Sequence, residues 1–478
     1  MRIRFAQGLR RPSRRGVVDV TLVLVLLAAI VTVVIGGIVS GSTRGAPRAA
    51  AGGEEALGPA EPDDYFLFQR SVGGKLPSQA DFNRAVRQAQ AIRAESEGAA
   101  DAPRQLRGAW NLVGPTSIGG RITDLVVDPS NRDTIYAAAA SGGVWKSTDA
   151  GATMQAIWPD DATQGMGALA IAPNGTLWAG TGEANPGGGS ITFGGTGIYR
   201  SDDGGATWKR RGLENSGNTG RIVVDPTNPD RIFVAAAGSL FNPGGERGIY
   251  RSTNGGASWQ RVLAPETPFT GGADLAMDPT NPNRLFAAMW DHRREPDIRT
   301  YGGVGSGLFR SEDGGDTWER LENVVTKSPP DATGLVRDPS LGRIGVAIAP
   351  SDPNRIYVIT TATFGQDKGF YVSTDGGDSF NTAALPGSQG GFGWWFGRIW
   401  VDPNDANRVF VAGVNLRLST NAGQTWSTSA GVHVDQHAMA WDPKVPGRVY
   451  LGNDGGVYRS EAAPSWMLVL VSVPDRSS

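Results

Sequence analysis

Three groups of residues have the types and spacing to do chemistry. His433, Asp435 and His437 are spaced by two, so on a strand they would share one face. Such a face can bind a divalent metal or form an acid–base unit. It also fits a hydrogen-bonded His–Asp pair that fixes local structure. Asp124, Arg221, Asp274 and Arg398 fall at one position relative to a recurring turn, with Arg121 and Arg343 nearby. Guanidinium groups there can hold an anionic or hydroxyl-rich ligand, or the charges can pair with one another, because buried charges need partners. Trp394 and Trp395 form the third group, between Phe392 and Phe396. Exposed aromatic faces stack on sugar rings, whereas buried ones pack between structural units. For glycoside hydrolysis two carboxylates must flank a cleft. Asp124, Asp274 and Asp435 are the catalytic candidates, and Glu183 and Tyr301 join the ligand-binding ones, but spacing alone pairs none of the acids.

The elements that must position these groups repeat. Ser201-Asp202-Asp203-Gly204-Gly205-Ala206-Thr207-Trp208 has the pattern Ser-x-Asp-x-Gly-x-Thr-Trp. Copies begin at Ser147, Ser252, Ser311, Ser373 and Ser419, and a decayed one begins at Ser460. The intervals are 54, 51, 59, 62, 46 and 41 residues. The Asp or Asn can accept backbone N–H groups inside a turn, and Gly supplies positive φ. Each unit reads as strand A, a turn such as Asp225-Pro226, strand B, a variable loop, strand C, the octapeptide and strand D. Four short antiparallel strands repeated about seven times predict an all-β fold, a β-propeller. The counts of 68 Gly and 30 Pro suit it.

These octapeptides resemble the Asp box, or bacterial neuraminidase repeat, of sialidases, sortilin-type propellers and xyloglucanase-type glycoside hydrolases. The flanking phrases Gly119-Gly120-Arg121-Ile122, Gly142-Gly143-Val144-Trp145, Gly182-Glu183-Ala184-Asn185-Pro186 and Gly452-Asn453-Asp454-Gly455-Gly456-Val457-Tyr458 resemble secreted bacterial Asp-box proteins labelled glycosyl hydrolase. The resemblance implies a propeller over residues 108–466, and structural rather than catalytic roles for the octapeptide Asp residues. Xyloglucanase-type enzymes carry a catalytic Asp before the Gly-Gly-aromatic strand of the first blade. The matching stretch here, Ala139-Ala140-Ser141-Gly142-Gly143, has no acid. The sialidase Phe/Tyr-Arg-Ile-Pro motif is also missing. The expectation is a non-catalytic propeller that binds a glycan or a peptide. A glycoside hydrolase is the first alternative and a structural cell-surface module the second.

Net charge is −2, which gives no reason to expect nucleic acid. The chain has no cysteine, which rules out disulfides and thiolate metal sites, and no cofactor is expected. Residues 1–40 form a basic start followed by Val20–Val39, twenty residues without a charge. That length suits a bilayer span or a long signal peptide, and the flanking Arg residues place the N-terminus inside. Either reading exports the rest of the chain, anchored through residues 17–40 or secreted after cleavage. Residues 41–107 read as a linker carrying an amphipathic helix at 78–97, capped by Ser78 and striped by Phe82, Val86, Ala89 and Ile92. The propeller's last strand is expected from residues 110–115 or from 466–473. Residues 467–478 read as an irregular tail, as of a truncated chain.

The A–B turns and octapeptides are expected on one face. The B–C and D–A loops, long in units two to five, are expected on the other, with Trp394 and Trp395 exposed there.

Overall fold

The structure, a computed structural model, describes residues 71, 73, 75–98, 119–185, 193–294, 299–322, 325–327, 335, 337–461 and 467–469. Residues 1–70 lie outside it, including the expected span. Among the described residues no helix is long and apolar enough to cross a membrane.

Seven four-stranded antiparallel units form a β-propeller. Strands A run Ile122–Val127, Met166–Ile171, Thr219–Val224, Thr270–Met277, Leu341–Ala349, Ile399–Asp402 and Gln436–Trp441. Each pairs with the B strand that follows it, and B pairs with C and C with D. Strand Val325–Lys327 adds a fifth, parallel member at the edge of blade 5. The blade-7 sheet is completed by Met467–Val469, paired with Gly456–Ser460. The start of the expected tail is therefore a propeller strand. Residues 110–115 lie outside the described residues. The ring closes by packing: Ile122, Leu125 and Val127 of blade 1 share a core with Ala438, Tyr450 and Val457 of blade 7. Other clusters also join neighbouring blades, as where Phe286 and Ala288 of blade 4 meet Ile344 and Val346 of blade 5.

The octapeptide is a stapled turn. Its first Ser is buried in all seven copies. In the six described octapeptides the Ser hydroxyl accepts the N–H of the residue four on, at 2.8–2.9 Å. In the Asp203 and Asp313 copies that Ser donates to one carboxylate oxygen, while the Thr hydroxyl donates to the other. Asn254 and Asn421 keep the accepting oxygen and donate from nitrogen to Ser258 and Thr425. That explains why Asn serves in blades 3 and 6. Positions four and five are both left-handed, at φ 68° and 90° in Gly204 and Gly205. The closing Trp does more than start a strand. Trp208 and Trp426 donate to Ile157 O and Ala384 O of the preceding blade, at 3.0 and 2.8 Å.

Backbone bonds from the octapeptides to the A–B turns, such as Gly255 N to Asp230 O and Gly314 N to Asn283 O, put both on one face. The B–C and D–A loops then share the other face.

Hydrogen bonds hold the Asp203 and Asp313 carboxyls at about 2, led by those from Thr207 and Thr317. Asp375 is also at about 2: burial opposes the shift, and the Ser379 hydroxyl and N–H outweigh it. A carboxyl depressed in the folded state adds stability above its unfolded pKa near ~3.9 and loses it as pH falls toward the folded value. The melting temperature should therefore stay flat from pH 7 to about 5 and drop between about 4 and 2. The triple change D203N/D313N/D375N, which copies the native Asn turns, should shrink that drop in calorimetric scans. An equal drop in both proteins would refute the assignment.

The expected helix runs Gln79–Gly98. Ser78 caps it: Asp81 N–H donates to the Ser78 hydroxyl, and Ser78 N–H donates back to the Asp81 carboxylate at 2.9 Å. Its apolar stripe is not the main interface, since Ala89 and Ile92 stay outside it. Phe82 and Val86 are half-buried and Ala89 is exposed, while Ile92 is 61% exposed. The docked face is polar and carries the buried Asn83.

Candidate functional site

The site begins with a repeated irregularity. Strand A is bulged in at least six blades. Pairing with strand B steps over Thr123, Gly167, Gly220, Ala273 and His437, and over residues 342–343 in blade 5. A bulge bends its strand and frees backbone groups from the ladder. Three of the freed carbonyls converge on one guanidinium. Arg398 donates to Thr123 O (3.2 Å), His437 O (3.3 Å) and Gly220 O (3.0 Å).

Asp124, Arg221 and Asp274 each directly follow a bulge, and Arg398 directly precedes strand A of blade 6. Asp124, Arg221, Asp274 and Arg398 do meet around the axis, as mutual partners. Arg221 lies 2.9 Å from Asp274 and 3.8 Å from Asp124, and Arg398 is 3.7 Å from Asp124. Asp124 also accepts Leu169 N–H of blade 2 at 2.9 Å, and Asp274 accepts Val346 N–H of blade 5 at 3.3 Å. Each carboxylate thus ties strands of two blades and one or two arginines. Burial acts to lower Arg221, but Asp274 and Asp124 outweigh it and raise its pKa. Arg343 comes from the blade-5 bulge and is pulled down to about 9, by burial first and then by Arg398.

Above this plug lies the mouth on the loop face. Arg121 donates to Glu183 at 2.7 Å, and Asn185 donates to the other Glu183 oxygen at 2.9 Å. Arg343 donates to Asn185, Trp394 O and Trp395 O. Arg121 also lies over the Trp395 ring, 4.9 Å from its centre. A cavity of about 10 Å³ remains, lined by Thr123, Glu183, Asn185, Trp395, Arg398 and His437. It is large enough for one water and too small for a sugar ring.

Trp394 and Trp395 are not exposed platforms. They are 7% and 9% exposed and pack with Ala273, Trp290 and Phe396. Trp394 stacks on Tyr301 at 4.9 Å, so that candidate is also a packing partner. The reason is the bend between Gly391 and Gly397, both at positive φ, which folds the loop inward. The exposed aromatics on this face are Phe364 (74%) and Phe392 (49%), close together, and Phe193 (44%) in the blade-2 B–C loop, with Val304 and Val434 also exposed. Gly365 sits against Gly391 O and Trp394, which brings the Phe364 loop beside the Phe392 loop. Phe364 is not among the residues expected from sequence, where its only local signal is an aromatic residue next to Gly in a B–C loop.

His433, Asp435 and His437 do not share a strand face. Strand A starts only at Gln436, and Asp435 is left-handed at φ 67°, so alternation does not apply. His433 is exposed and its Nδ1 lies 2.9 Å from Val434 O. His437 is buried, with Nε2 2.8 Å from Asp454 and its ring stacked on Phe396. Among the described residues no group of three His, Cys, Asp or Glu side chains is placed to hold a metal ion. Asp435 is half-buried, and burial followed by the nearby Asp454 raises its carboxyl pKa.

The wall of blades 3 and 4 holds a polar core not foreseen from sequence. Buried Arg247 donates to the carbonyls of Ala237, Ser239, Asn242, Gly244 and Phe269. Trp290 lies between His292 (ring centres 4.6 Å apart) and Arg343 (5.3 Å). Burial, and then the charge of Arg247, push the His292 pKa well below the usual histidine value.

With this geometry in place, comparisons define the class. Residues 196–330 match the Sortilin-Vps10 family, described as sortilin, neurotensin receptor 3. A xyloglucanase from Paenibacillus sp. is 26% identical over 264 residues, 54% of this chain and 18% of that protein. Xyloglucanase Xgh74A of Acetivibrio thermocellus is 29% identical over 194 residues, 36% of this chain and 20% of that protein. The chain thus spans about a fifth of the length of these relatives. The solved xyloglucanase of Xanthomonas campestris superposes with a TM-score of 0.41 at 16% identity, over 75% of this chain and 68% of that one. The chain is a seven-bladed β-propeller related to the sortilin and xyloglucanase types.

Proposed function

We propose that this propeller is exported and binds a glycan, without cleaving it, on the loop face of blades 4–7. The observation that carries the reading is the pair of exposed rings Phe364 and Phe392, on adjoining loops, with Phe392 backed by Trp394 (ring centres 5.8 Å apart). Aromatic faces held by packing beneath bind apolar sugar faces at little entropic cost. Kinship with xyloglucanases supports a β-linked polysaccharide as ligand. The non-catalytic part rests on the acids: Asp124, Asp274 and Glu183 are each held by arginine and further hydrogen bonds. Xyloglucan oligosaccharides should bind in calorimetry, and Phe392→Ala and Phe364→Ala should each weaken binding about five- to tenfold, roughly 1–1.4 kcal/mol. Unchanged affinity in both would refute the placement, and release of reducing ends by the purified protein would refute the non-catalytic reading. Export rests on residues 1–40; a C-terminal reporter that works only in the cytoplasm would refute it.

A further inference from the structure

The helix Gln79–Gly98 lies on the same face as the proposed ligand site. Gln79 donates to Gly195 O (2.9 Å) in the blade-2 B–C loop. Asn83 donates to Glu214 O (2.9 Å) and to Asn215 (3.2 Å), in the connection from blade 2 to blade 3. Gln90 donates to Asp161 O (3.0 Å), between blades 1 and 2. Asn242, in the blade-3 B–C loop, donates back to Pro77 O (3.0 Å). Every one of these contacts is to a B–C or D–A loop of blades 1–3.

The docking is of a releasable kind. It uses side-chain amides on loop carbonyls, two of them on the exposed residues Asp161 and Pro77, and Phe82 beside Gly194 is its apolar element. The most apolar residue of the helix, Ile92, faces solvent. A cleft of about 370 Å³ opens between its second half (Gln90, Arg93, Ala94) and Pro159–Asp161. Twenty residues, 99–118, join it to blade 1. Fully extended, that length reaches roughly 66–72 Å, ample for the helix to leave while the propeller stays folded.

We propose that this helix is an intramolecular strap over the blades 1–3 half of the ligand face. Docked, it confines a bound chain to the open arc of Phe364 and Phe392. Released, it lets the chain extend across the mouth toward Arg121 and Glu183. The inference rests on the glycan reading for its ligand and on the helix contacts for its mechanics.

The test uses the full chain, Asn83→Ala, Gln79→Ala/Asn83→Ala, and a protein lacking residues 71–98. Trypsin cleavage at Arg84, Arg87 and Arg93 reports release of the helix. Asn83→Ala should speed it several-fold, up to the tenfold ceiling that a docked fraction of about nine in ten allows, with the melting temperature of the propeller unchanged. Long xyloglucan fragments should bind the double variant and the deletion about tenfold more tightly than the full chain, because a docked fraction of nine in ten reduces apparent affinity by that factor. Fragments short enough for the Phe364–Phe392 arc should bind all four proteins alike. Saturating long fragments should also speed cleavage of the full chain. Equal affinity of long fragments with and without the helix, or protection of the helix by them, overturns the strap. If no fragment binds any variant, the glycan reading falls, and an unchanged trypsin rate in Asn83→Ala then overturns the strap on its own.

Discussion

Asp274→Ala is expected to destabilise the propeller by about 3–5 kcal/mol, the usual cost of breaking a buried ion pair from one side. Asp274 is 2% exposed and accepts from Arg221, Leu275 N–H and Val346 N–H. Its removal leaves the Arg221 guanidinium with only the longer contact to Asp124, at 3.8 Å, and leaves two backbone donors without that acceptor, one of them in the next blade. Removing the guanidinium as well should relieve much of the loss, because an apolar replacement of a buried pair is often close to neutral. Asp274→Leu/Arg221→Met should therefore be the more stable protein. Urea denaturation of the two reads the difference. A loss below about 1 kcal/mol in Asp274→Ala would show that the axial charges do not hold the blades together. Loss of an activity in a fully stable Asp274→Ala would instead make it a catalytic acid.

Trp394→Ala should cost about 3–5 kcal/mol, as large-to-small changes in packed cores do. Its ring touches Tyr301, Phe392 and Trp395, and the cluster around it continues to Trp290 and Phe396. Blades 4 and 5 and the loop before blade 6 meet there, so the cavity would sit where three segments depend on one side chain. Phe392→Ala removes a ring that is 49% exposed and should cost far less stability while weakening glycan binding. The pair of variants separates support from contact. If Trp394→Ala left stability within about 1 kcal/mol of the parent and abolished binding, the platform would be Trp394 after all.

Much of the architecture was legible in the chain. The Ser-x-Asp/Asn-x-Gly octapeptide is local, since its bonds run within four residues, and it occurs six times, with a decayed seventh, at intervals long enough for four strands. Strand number, blade number and the two-faced sorting of loops follow from that repeat and from strand alternation. The first Ser proved as important as the Asp. It is the buried member of the turn and closes it through the glycine four residues on.

The site was legible in composition and not in arrangement. The sequence by itself determined the propeller, the Ser78-capped helix and the set of charges at the start of strand A, because each depends on neighbours in the chain. Only the tertiary structure decided how those charges pair. Ring closure sets Arg398 of blade 6 against Thr123 of blade 1 and Gly220 of blade 3, contacts 275 and 178 residues apart in sequence. It also decided the bulges that turn those carbonyls inward and the left-handed Asp435 that breaks the His-Asp-His alternation. The burial of Trp394 and Trp395, and the exposure of Phe364 and Phe392 in their place, likewise came from packing across blades. The physical reason is common to all four: burial and charge pairing are settled by distance in space, and in a closed ring the residues nearest the axis come from every part of the chain.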